Sequence, residues 1–350
     1  MDPAGTAGGL AAGLGALGID VEVVLWFGFP HRRLNGRVLG RVERVAFSAL
    51  APWRFDVFHY QSFTLLPRML DARWARRARR TLLVTFHGDD CRRHALARTL
   101  FPSWGDRGDT GDPTVEARIS GLGRVCEGAV VANLELATYV LPFFRRVYIV
   151  PPALEDFAAP VVEPRQTGAR PVVLHAPSVR ELKGTSTIAA AAEALSRRIP
   201  LEFRLLERGA HTEVLAEIGR ADVVVDQVDA PSIGVVALEA MRAGKPVLSE
   251  LDEHALAPYQ RDLPAVHATA ATLERELEAL LRDPDRRHRL AKEGERYVER
   301  HAPEAVARAT LDVYRHVRVR AEGRLFTPEA SGIRPLKREE EEIWARLRQA

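Results

Sequence analysis

The sequence predicts an α/β protein built from two doubly wound domains. Short runs rich in Val, Ile and Leu alternate with helical stretches along almost the whole chain of 350 residues. The apolar residues within these runs are continuous, which is typical of parallel strands that are covered on both faces. Residues 151–171 interrupt the alternation with five prolines and no periodicity, and therefore predict a linker.

The strands are predicted from these runs in chain order. Before the linker they lie at 21–28, 55–60, 81–88, 128–133 and 146–152. After the linker they lie at 171–178, 201–207, 221–228, 245–250 and 264–270. From Thr272 onward the chain is expected to be helical, with an amphipathic helix at 304–317 and a polar, weakly constrained end.

These elements divide the chain into four parts. Residues 1–155 form an N-terminal domain, 156–170 the linker, 171–300 a C-terminal domain, and 301–350 helices and a tail. The chain opens on a glycine-rich loop and a small helix, and such a loop normally follows a strand. We therefore expect that a first central strand is missing because the start lies too late. A domain without that strand is the alternative, and it would expose a sheet edge.

Composition excludes several classes of protein. A formal charge of +3 is too small to indicate nucleic-acid binding. Cys91 and Cys126 lie far apart and predict free thiols in a reducing compartment. No apolar run reaches the roughly 18 residues of a membrane span, and the N-terminus lacks the basic region of a secretory signal. The sequence thus predicts a cytoplasmic protein.

The stretch HAPSVRELKGT, residues 175–185, follows a predicted strand and precedes a helix. Arg180, Lys183 and Gly184 offer two cations and a tight turn beside a helix N-terminus, which is a favourable place for a diphosphate. A solvated basic loop is the alternative.

The stretch PSIGVVALEAMRAGKPVLSE, residues 231–250, predicts a short helix that begins at Gly234. Glu239 shares an apolar face of this helix with Val235 and Val236. A carboxylate there requires a hydrogen-bonded partner, because burial of an unpaired charge is very costly. The hydroxyl groups of a bound ribose could supply that partner, as could an arginine elsewhere in the fold.

His87 ends a predicted strand within VTFHGDDCRRH, residues 84–94. A histidine at this place can contact a reacting sugar or relay a proton, although a residue that only caps the loop is the alternative. His87, Cys91 and His94 have a loosely metal-like spacing, but no fourth ligand or paired cysteine accompanies them, so no metal is expected.

A basic amphipathic helix is predicted at 68–80, with Arg73, Arg76, Arg77 and Arg80 on one face. Such a helix can lie on an anionic membrane surface, so peripheral membrane contact is one interpretation. A solvated helix face is the other.

The combination of HAPSVRELKGT, ADVVVDQV and GVVALEAMRAGKPVL resembles the donor-binding half of retaining glycosyltransferases with the GT-B fold, of the family 4 type. The resemblance covers nearly all of 171–250, and the N-terminal half is similar more loosely through residues 5–9 and FHGDD. It implies two Rossmann-like domains that face each other across a cleft. It also implies transfer of a hexose-type sugar from a nucleoside diphosphate to a hydroxyl acceptor, without a metal or a further cofactor.

The resemblance also implies roles for individual residues. Arg180 and Lys183 would hold the donor diphosphate, and His87 would lie near the transferred sugar. Glu239 would bind the ribose, and Gly8 and Gly9 would lie near the donor phosphate or the acceptor. The remaining donor-binding positions implied are Gly184, Asp226, Gly234 and Val235.

The sequence departs from the family at one position. The family has two glutamates eight positions apart, and Glu239 matches the second, whereas Pro231 occupies the place of the first. Asp226 and Asp229 are nearby carboxylates but do not stand at the matching place. A nucleotide-sugar epimerase on the same fold and a nucleotide-sugar-binding protein that has lost transfer therefore remain as alternatives.

Overall fold

The computed structural model divides the chain into two compact units. It describes residues 5–25, 36–101, 104, 111–155 and 170–350. Of these, unit 1 comprises 5–25, 36–100, 111–155 and 301–350, and unit 2 comprises 101, 104 and 170–300. The C-terminal segment 301–350 thus belongs to unit 1. The predicted linker lies outside the described residues except for Arg170.

Thirteen strands lie in the described residues. They are β1 (Val24–Leu25), β2 (Arg37–Val38), β3 (Val57–Gln61), β4 (Thr81–Thr85), β5 (Gly128–Val131), β6 (Val147–Ile149), β7 (Val172–His175), β8 (Glu202–Leu205), β9 (Val223–Val225), β10 (Val247–Ser249), β11 (Ala265–His267), β12 (Leu325–Glu329) and β13 (Gly332–Pro335).

Thirteen α-helices accompany these strands in the described residues. They are α1 (Thr6–Ala16), α2 (Arg41–Arg54), α3 (Leu70–Arg77), α4 (His94–Leu100), α5 (Asp112–Val125), α6 (Leu134–Val140), α7 (Thr185–Ser196), α8 (His211–Arg220), α9 (Val235–Arg242), α10 (Leu273–Arg282), α11 (Pro284–Tyr297), α12 (Pro303–His316) and α13 (Lys337–Gln349). In the described part of the chain, none of them combines the length and the apolarity that crossing a bilayer demands.

Each unit is organised around one main sheet, which is mostly parallel in unit 1 and entirely parallel in unit 2. In unit 1 the strand order is β13-β12-β6-β5-β4-β3, and only the β12–β13 pair is antiparallel. In unit 2 the order is β11-β10-β9-β7-β8, and every pair is parallel. A separate parallel pair, β1 and β2, completes unit 1.

The predicted α/β class is confirmed, and each of the ten predicted runs contains a strand. The reason is visible in the burial of the central strands: β5, β7 and β9 are buried at every residue, as continuous apolar runs in a doubly covered sheet should be. Residues 26–28 of the first predicted strand lie outside the described residues. Both cysteines are free, as predicted, and the structure shows that both are buried.

The end of the chain differs from the prediction of a polar, weakly constrained tail. Strand β12 joins the sheet of unit 1 by pairing with β6, and Leu325 and Phe326 are fully buried there. The Phe326 ring stacks on Tyr148 with a centroid distance of 5.6 Å. The signal in the sequence is weak because only three apolar or β-branched residues precede Pro328.

The open edge of the unit 1 sheet lies at β3, which pairs only with β4 among the described residues. A cavity of about 770 Å³ lies beside this edge, and residues of α1, α12 and the 19–25 segment complete its wall. His59 of β3 lines it, bonded to the Tyr314 hydroxyl at 2.8 Å and to Thr85 at 2.7 Å. Burial lowers the pKa of His59 to about 4, so the imidazole is neutral at pH 7. The expectation that a first central strand is missing, because the start of the sequence lies too late, stays a prediction.

Unit 1 contains a buried ion pair that connects the loop after β4 to α6. The Arg92 guanidinium donates two hydrogen bonds to the Glu135 carboxylate, each at 2.9 Å, and the Glu135 side chain has no exposed surface. Two parallel bonds of this kind are the strong form of an arginine–carboxylate contact. The pair therefore fixes the segment that carries the Gly88–Asp90 turn.

We expect Arg92→Met to destabilise unit 1 by about 3–5 kcal/mol, because it leaves Glu135 as an uncompensated buried charge. Urea unfolding followed by circular dichroism measures this change. The matched control is Arg197→Met, which removes an exposed pair with Glu193 on α7 and should cost about 1 kcal/mol or less. Equal effects of the two variants would contradict the prediction.

Candidate functional site

The predicted diphosphate loop in unit 2 connects β7 to α7. After β7, a single turn of 3-10 helix spans Arg180–Leu182, followed by Lys183 and Gly184. Gly184 is the N-cap of α7 and has a φ of 69°, in the left-handed region that favours glycine. The chain can therefore turn sharply from the strand edge into the helix, and Lys183 lies at that turn.

Lys183 meets the residues that follow β9. Its ammonium donates a hydrogen bond to the Gln227 side-chain oxygen and lies 3.5 Å from Asp226 Oδ1. Asp226 in turn accepts a hydrogen bond of 2.6 Å from the Gly234 backbone N–H through Oδ2. The structure thus brings three predicted residues, Lys183, Asp226 and Gly234, into one cluster, which we call the Lys183 cluster together with Gln227.

Gly234 allows this close approach because it has no side chain. A Cβ atom there would lie 2.7 Å from Lys183 Nζ and 3.1 Å from Asp226 Oδ1. Any other residue would displace the ammonium or the carboxylate. Gly234 is also the N-cap of α9, so the ammonium lies beside the start of that helix.

The Lys183 cluster has the chemistry of an anion site. The first backbone N–H groups of a helix have no partner within the helix, and the helix dipole adds partial positive charge at that end. Here the ammonium of Lys183 stands next to the start of α9, which begins at Val235. The Lys183 side chain is 17% exposed and Asp226 only 2%, so the cation and not the carboxylate is open to a ligand. Asp226 holds the ammonium and the Gly234 N–H in place.

Glu239 of α9 has a partner within unit 2. His211, the first residue of α8, lies with Nε2 at 2.7 Å from Glu239 Oε1, and both side chains are largely buried. Within unit 2 the partner is thus a histidine and not the arginine that was the alternative, while the expected contact with a ribose stays a prediction. Among the described residues, Glu239 Oε2 forms no hydrogen bond, so one carboxylate oxygen is left for a ligand. The sequence contains no clear signal for His211, which lies 28 residues away in a different helix.

His175 is a second residue to which the sequence assigned no role. Its side chain is buried, with Nδ1 at 2.8 Å from the Val225 carbonyl oxygen and Nε2 at 2.9 Å from the Thr185 hydroxyl. Burial lowers the pKa of His175, so the ring is neutral at pH 7, donating from Nδ1 to the carbonyl and accepting at Nε2. This histidine ties β7, β9 and the first residue of α7 together, and so positions the turn that carries Lys183.

Arg180 is engaged away from the Lys183 cluster. Its guanidinium donates two hydrogen bonds to the exposed Glu207 carboxylate, at 2.9 and 3.0 Å. These bonds hold the pKa of Glu207 below its ordinary value. The structure therefore does not join Arg180 with Lys183 in one cation pair, and a diphosphate would have to compete with Glu207 for it.

His87 lies in unit 1 at the end of β4. Its Nε2 is 2.8 Å from the Gln61 side-chain oxygen, and its Nδ1 is 3.3 Å from the Thr6 hydroxyl. The backbone N–H groups of His87 and Gly88 both donate to the Asp90 carboxylate. Both ring nitrogens and the backbone N–H of His87 are thus held by hydrogen bonds beside the start of α1.

Gly8 and Gly9 lie in the first turn of α1, so the predicted glycine-rich loop is wrong at these two positions. A Cβ at Gly8 would lie 2.3 Å from Glu155 Oε1, and one at Gly9 would lie 3.0 Å from the Leu154 backbone. The glycines thus allow α1 to pack closely against this segment of unit 1. The predicted contact with phosphate or acceptor stays a prediction.

The predicted basic helix at 68–80 is shorter than expected. Helix α3 ends at Arg77, and Arg80 lies beyond it, bonded to Asp56 and to the Pro52 carbonyl oxygen. Arg73, Arg76 and Arg77 do lie exposed on α3. The prediction that four arginines share one helix face is therefore wrong for Arg80.

In the described ranges, no three His, Cys, Asp or Glu side chains lie close enough together to hold a metal ion. His87, Cys91 and His94 do not form such a group. Cys91 instead donates to the Gly88 carbonyl oxygen, and the His94 backbone N–H donates to Asp112.

Solved structures share this fold over most of the chain. Sucrose-phosphate synthase from Thermosynechococcus elongatus is 17% identical, with a TM-score of 0.63 over 88% of this chain and 91% of that protein. HepE of Anabaena, solved in complex with UDP-glucose, is 14% identical, with a TM-score of 0.58 over 87% and 94%. A provisionally assigned UDP-N-acetylglucosamine 2-epimerase from Listeria monocytogenes is 13% identical, with a TM-score of 0.53 over 92% and 96%.

At these identities the similarity concerns the fold alone, and it confirms the predicted GT-B fold. No protein-family model matches the chain. No curated protein sequence matches it significantly.

Proposed function

We propose that the protein is a glycosyltransferase that moves a sugar from a nucleoside diphosphate sugar to a hydroxyl acceptor. The observation that carries the proposal is the Lys183 cluster, where an ammonium stands beside the start of α9. The similarity of fold to a protein that was solved with UDP-glucose supports it. The nucleoside diphosphate sugar is a co-substrate, and no further cofactor is part of the proposal.

In this proposal the departing diphosphate accumulates negative charge, which Lys183 and the first N–H groups of α9 at Val235 stabilise. Gly184 and Gly234 let the backbone approach the phosphate oxygens, and Asp226 keeps the ammonium aligned. Because these groups supply the positive charge, we propose a metal-independent reaction. The assignments of Arg180 to the diphosphate and of His87 to the transferred sugar stay predictions of the resemblance, and the bonds from Arg180 to Glu207 favour Lys183 as the leaving-group cation.

Glu239 is proposed to bind the ribose. Its Oε2 is the oxygen that His211 leaves unbonded, and a carboxylate oxygen is a strong acceptor for a ribose hydroxyl. Transfer of a hexose with retention of configuration is the finer form of the proposal. Pro231 supplies no carboxylate where the family has its first glutamate, and the nearby Asp226 is already bonded to Gly234 and Lys183. Retention is therefore proposed from the resemblance alone.

A thermal-shift screen tests the donor class. We expect a UDP-, GDP- or dTDP-sugar to raise the unfolding midpoint, because a ligand that binds only the folded state stabilises it by mass action. A free hexose without the nucleotide is the control and should leave the midpoint unchanged. If no sugar nucleotide raises the midpoint at millimolar concentration, the proposed function is wrong.

A second candidate is a nucleotide-sugar epimerase, and the fold shared with the provisionally assigned epimerase favours it. The two functions differ in whether an acceptor is needed. Incubation with the donor alone, followed by NMR of the sugar, would show inversion at a carbon centre only for an epimerase. Binding without turnover over a wide range of acceptors would instead indicate a protein that has lost transfer.

The acceptor is proposed to lie close to a membrane. The exposed arginines of α3, Arg73, Arg76 and Arg77, form a basic surface that anionic lipid would attract. A cytoplasmic location, with peripheral membrane contact, is the corresponding proposal for where the reaction takes place.

A further inference from the structure

Helix α2 of unit 1 exposes a large apolar face. Val42 is 83% exposed, Leu50 70% and Trp53 80%. Leu50 and Trp53 lie eight and eleven residues after Val42 along the helix. At 3.6 residues per turn this spacing places them on one side, together with the exposed Ala46. Val45, 50% exposed, extends the surface at its edge. We call these five residues the α2 face.

The opposite side of α2 faces the unit. Ser48, Ala51 and Pro52 are buried there. The helix is therefore seated in the fold through small residues, while its largest apolar side chains point to solvent. Soluble proteins expose single apolar residues everywhere, but a contiguous patch on one helix indicates a surface that another body covers.

The charges around the α2 face are mainly positive. Arg41 lies at the start of the helix and Arg54 at its end, whereas Arg44 lies on the side away from the α2 face. Two acids lie nearby: Glu22 pairs with Arg54 at 3.2 Å, and Glu43 lies 3.7 Å from Arg37. The neighbouring helix α3, which packs against α2, adds three exposed arginines.

We propose that the α2 face docks on the surface of a membrane that contains anionic phospholipid. An amphipathic helix with Trp, Leu and Val on one side and arginines beside them can lie in the plane of the interface, with its apolar residues among the acyl chains and its cations at the headgroups. Trp53 suits this depth because the indole has an apolar body and a polar N–H. This surface is different from the α3 arginines alone, since it supplies the apolar part of the contact.

A second copy of the chain fits the face less well. A stable protein interface buries about 1,200–2,000 Å² in total, which is more than five side chains of one helix provide. A symmetric dimer also places the same surface of both copies together, so that the arginines of one α2 would face those of the other. An anionic bilayer has the complementary charge and no such limit on area.

The test is co-sedimentation of the full chain with phosphatidylcholine vesicles that do or do not contain phosphatidylglycerol. The wild type should bind the anionic vesicles and bind neutral ones far more weakly. We expect the double variant Leu50→Ser with Trp53→Ser to reduce partitioning at least about tenfold, because two large apolar side chains no longer leave water. Circular dichroism and the unfolding midpoint of the variant should match those of the wild type, since both positions are exposed.

The matched control is Val179→Ser, which removes an exposed valine of unit 2 and should leave vesicle binding unchanged. Light scattering tests whether a second copy covers the α2 face. A wild-type dimer that becomes a monomer in the double variant would overturn the proposal. Unchanged binding of the double variant, or no binding of the wild type to anionic vesicles, would overturn it as well. The experiment does not involve a sugar nucleotide, so its failure would leave the proposed sugar transfer standing and would contradict only the proposed membrane contact.

Discussion

Replacing Lys183 with methionine is expected to lower the rate of sugar transfer by about 10²–10³-fold, the usual effect of removing one preorganised group that stabilises developing charge. The physical reason is the position of the ammonium beside the start of α9, next to Gly234. Methionine keeps most of the unbranched stem and removes the charge, together with the contacts to Gln227 and Asp226. Steady-state kinetics, expressed per folded molecule, measure the effect.

Arg180→Met is the matched control for this experiment. It removes a cation from the same loop, but that cation is exposed and already bonded to Glu207. Exposed pairs of this kind contribute little, so a loss of activity of less than about fivefold is expected. If Arg180→Met costs as much activity as Lys183→Met, or more, then Arg180 moves from Glu207 to the diphosphate and the assignment of the leaving-group cation is wrong.

Glu239→Gln is expected to weaken binding of the sugar nucleotide by about tenfold or more, because a hydrogen bond to a charged carboxylate contributes about 1.5–3 kcal/mol. Glutamine has the size of glutamate and lacks its charge, so the ribose hydroxyls lose their strongest acceptor. Isothermal titration with a donor that raised the unfolding midpoint gives the affinity. The fold should survive, since His211 can still donate to the glutamine side-chain oxygen.

Two further variants separate binding from structure. Glu213→Gln changes an exposed glutamate of α8 near His211 and should leave the affinity unchanged. Glu239→Ala removes both oxygens, and we expect the same or a larger loss of affinity, with a small loss of stability because the contact with His211 is lost. If Glu239→Ala melts the protein while Glu239→Gln binds the donor like the wild type, Glu239 is a structural residue of α9.

The predicted part of the site follows from one feature of parallel sheets. Lys183 comes after β7, and Asp226 comes after β9, and these strands are neighbours in the sheet of unit 2. The carboxyl ends of neighbouring parallel strands lie at the same edge, so polar residues that follow them meet. Strand ends therefore explain why Lys183 and Asp226 lie together, whereas the role of Asp226 in donor binding was implied by the family resemblance and stays a prediction.

The unpredicted part of the site depends on contacts between elements that are far apart in the sequence. His211 bonds to Glu239 from α8, and Arg180 pairs with Glu207 in the loop after β8. Neither pairing has a fixed spacing in sequence, because each depends on how two elements pack and not on one strand or helix. The same holds for Arg80, which the periodicity placed on α3 and which the structure places beyond its end.

The sequence by itself determined the class of the fold, ten strand positions and the residues that line the edge of the unit 2 sheet. These features could be predicted because apolar periodicity and turn residues act locally. Only the tertiary structure decided that β12 completes the sheet of unit 1, that His211 holds Glu239, and that α2 presents Trp53 and Leu50 to solvent. Burial of a residue depends on what the rest of the chain places against it. Such contacts join residues far apart in sequence, and no local pattern encodes them.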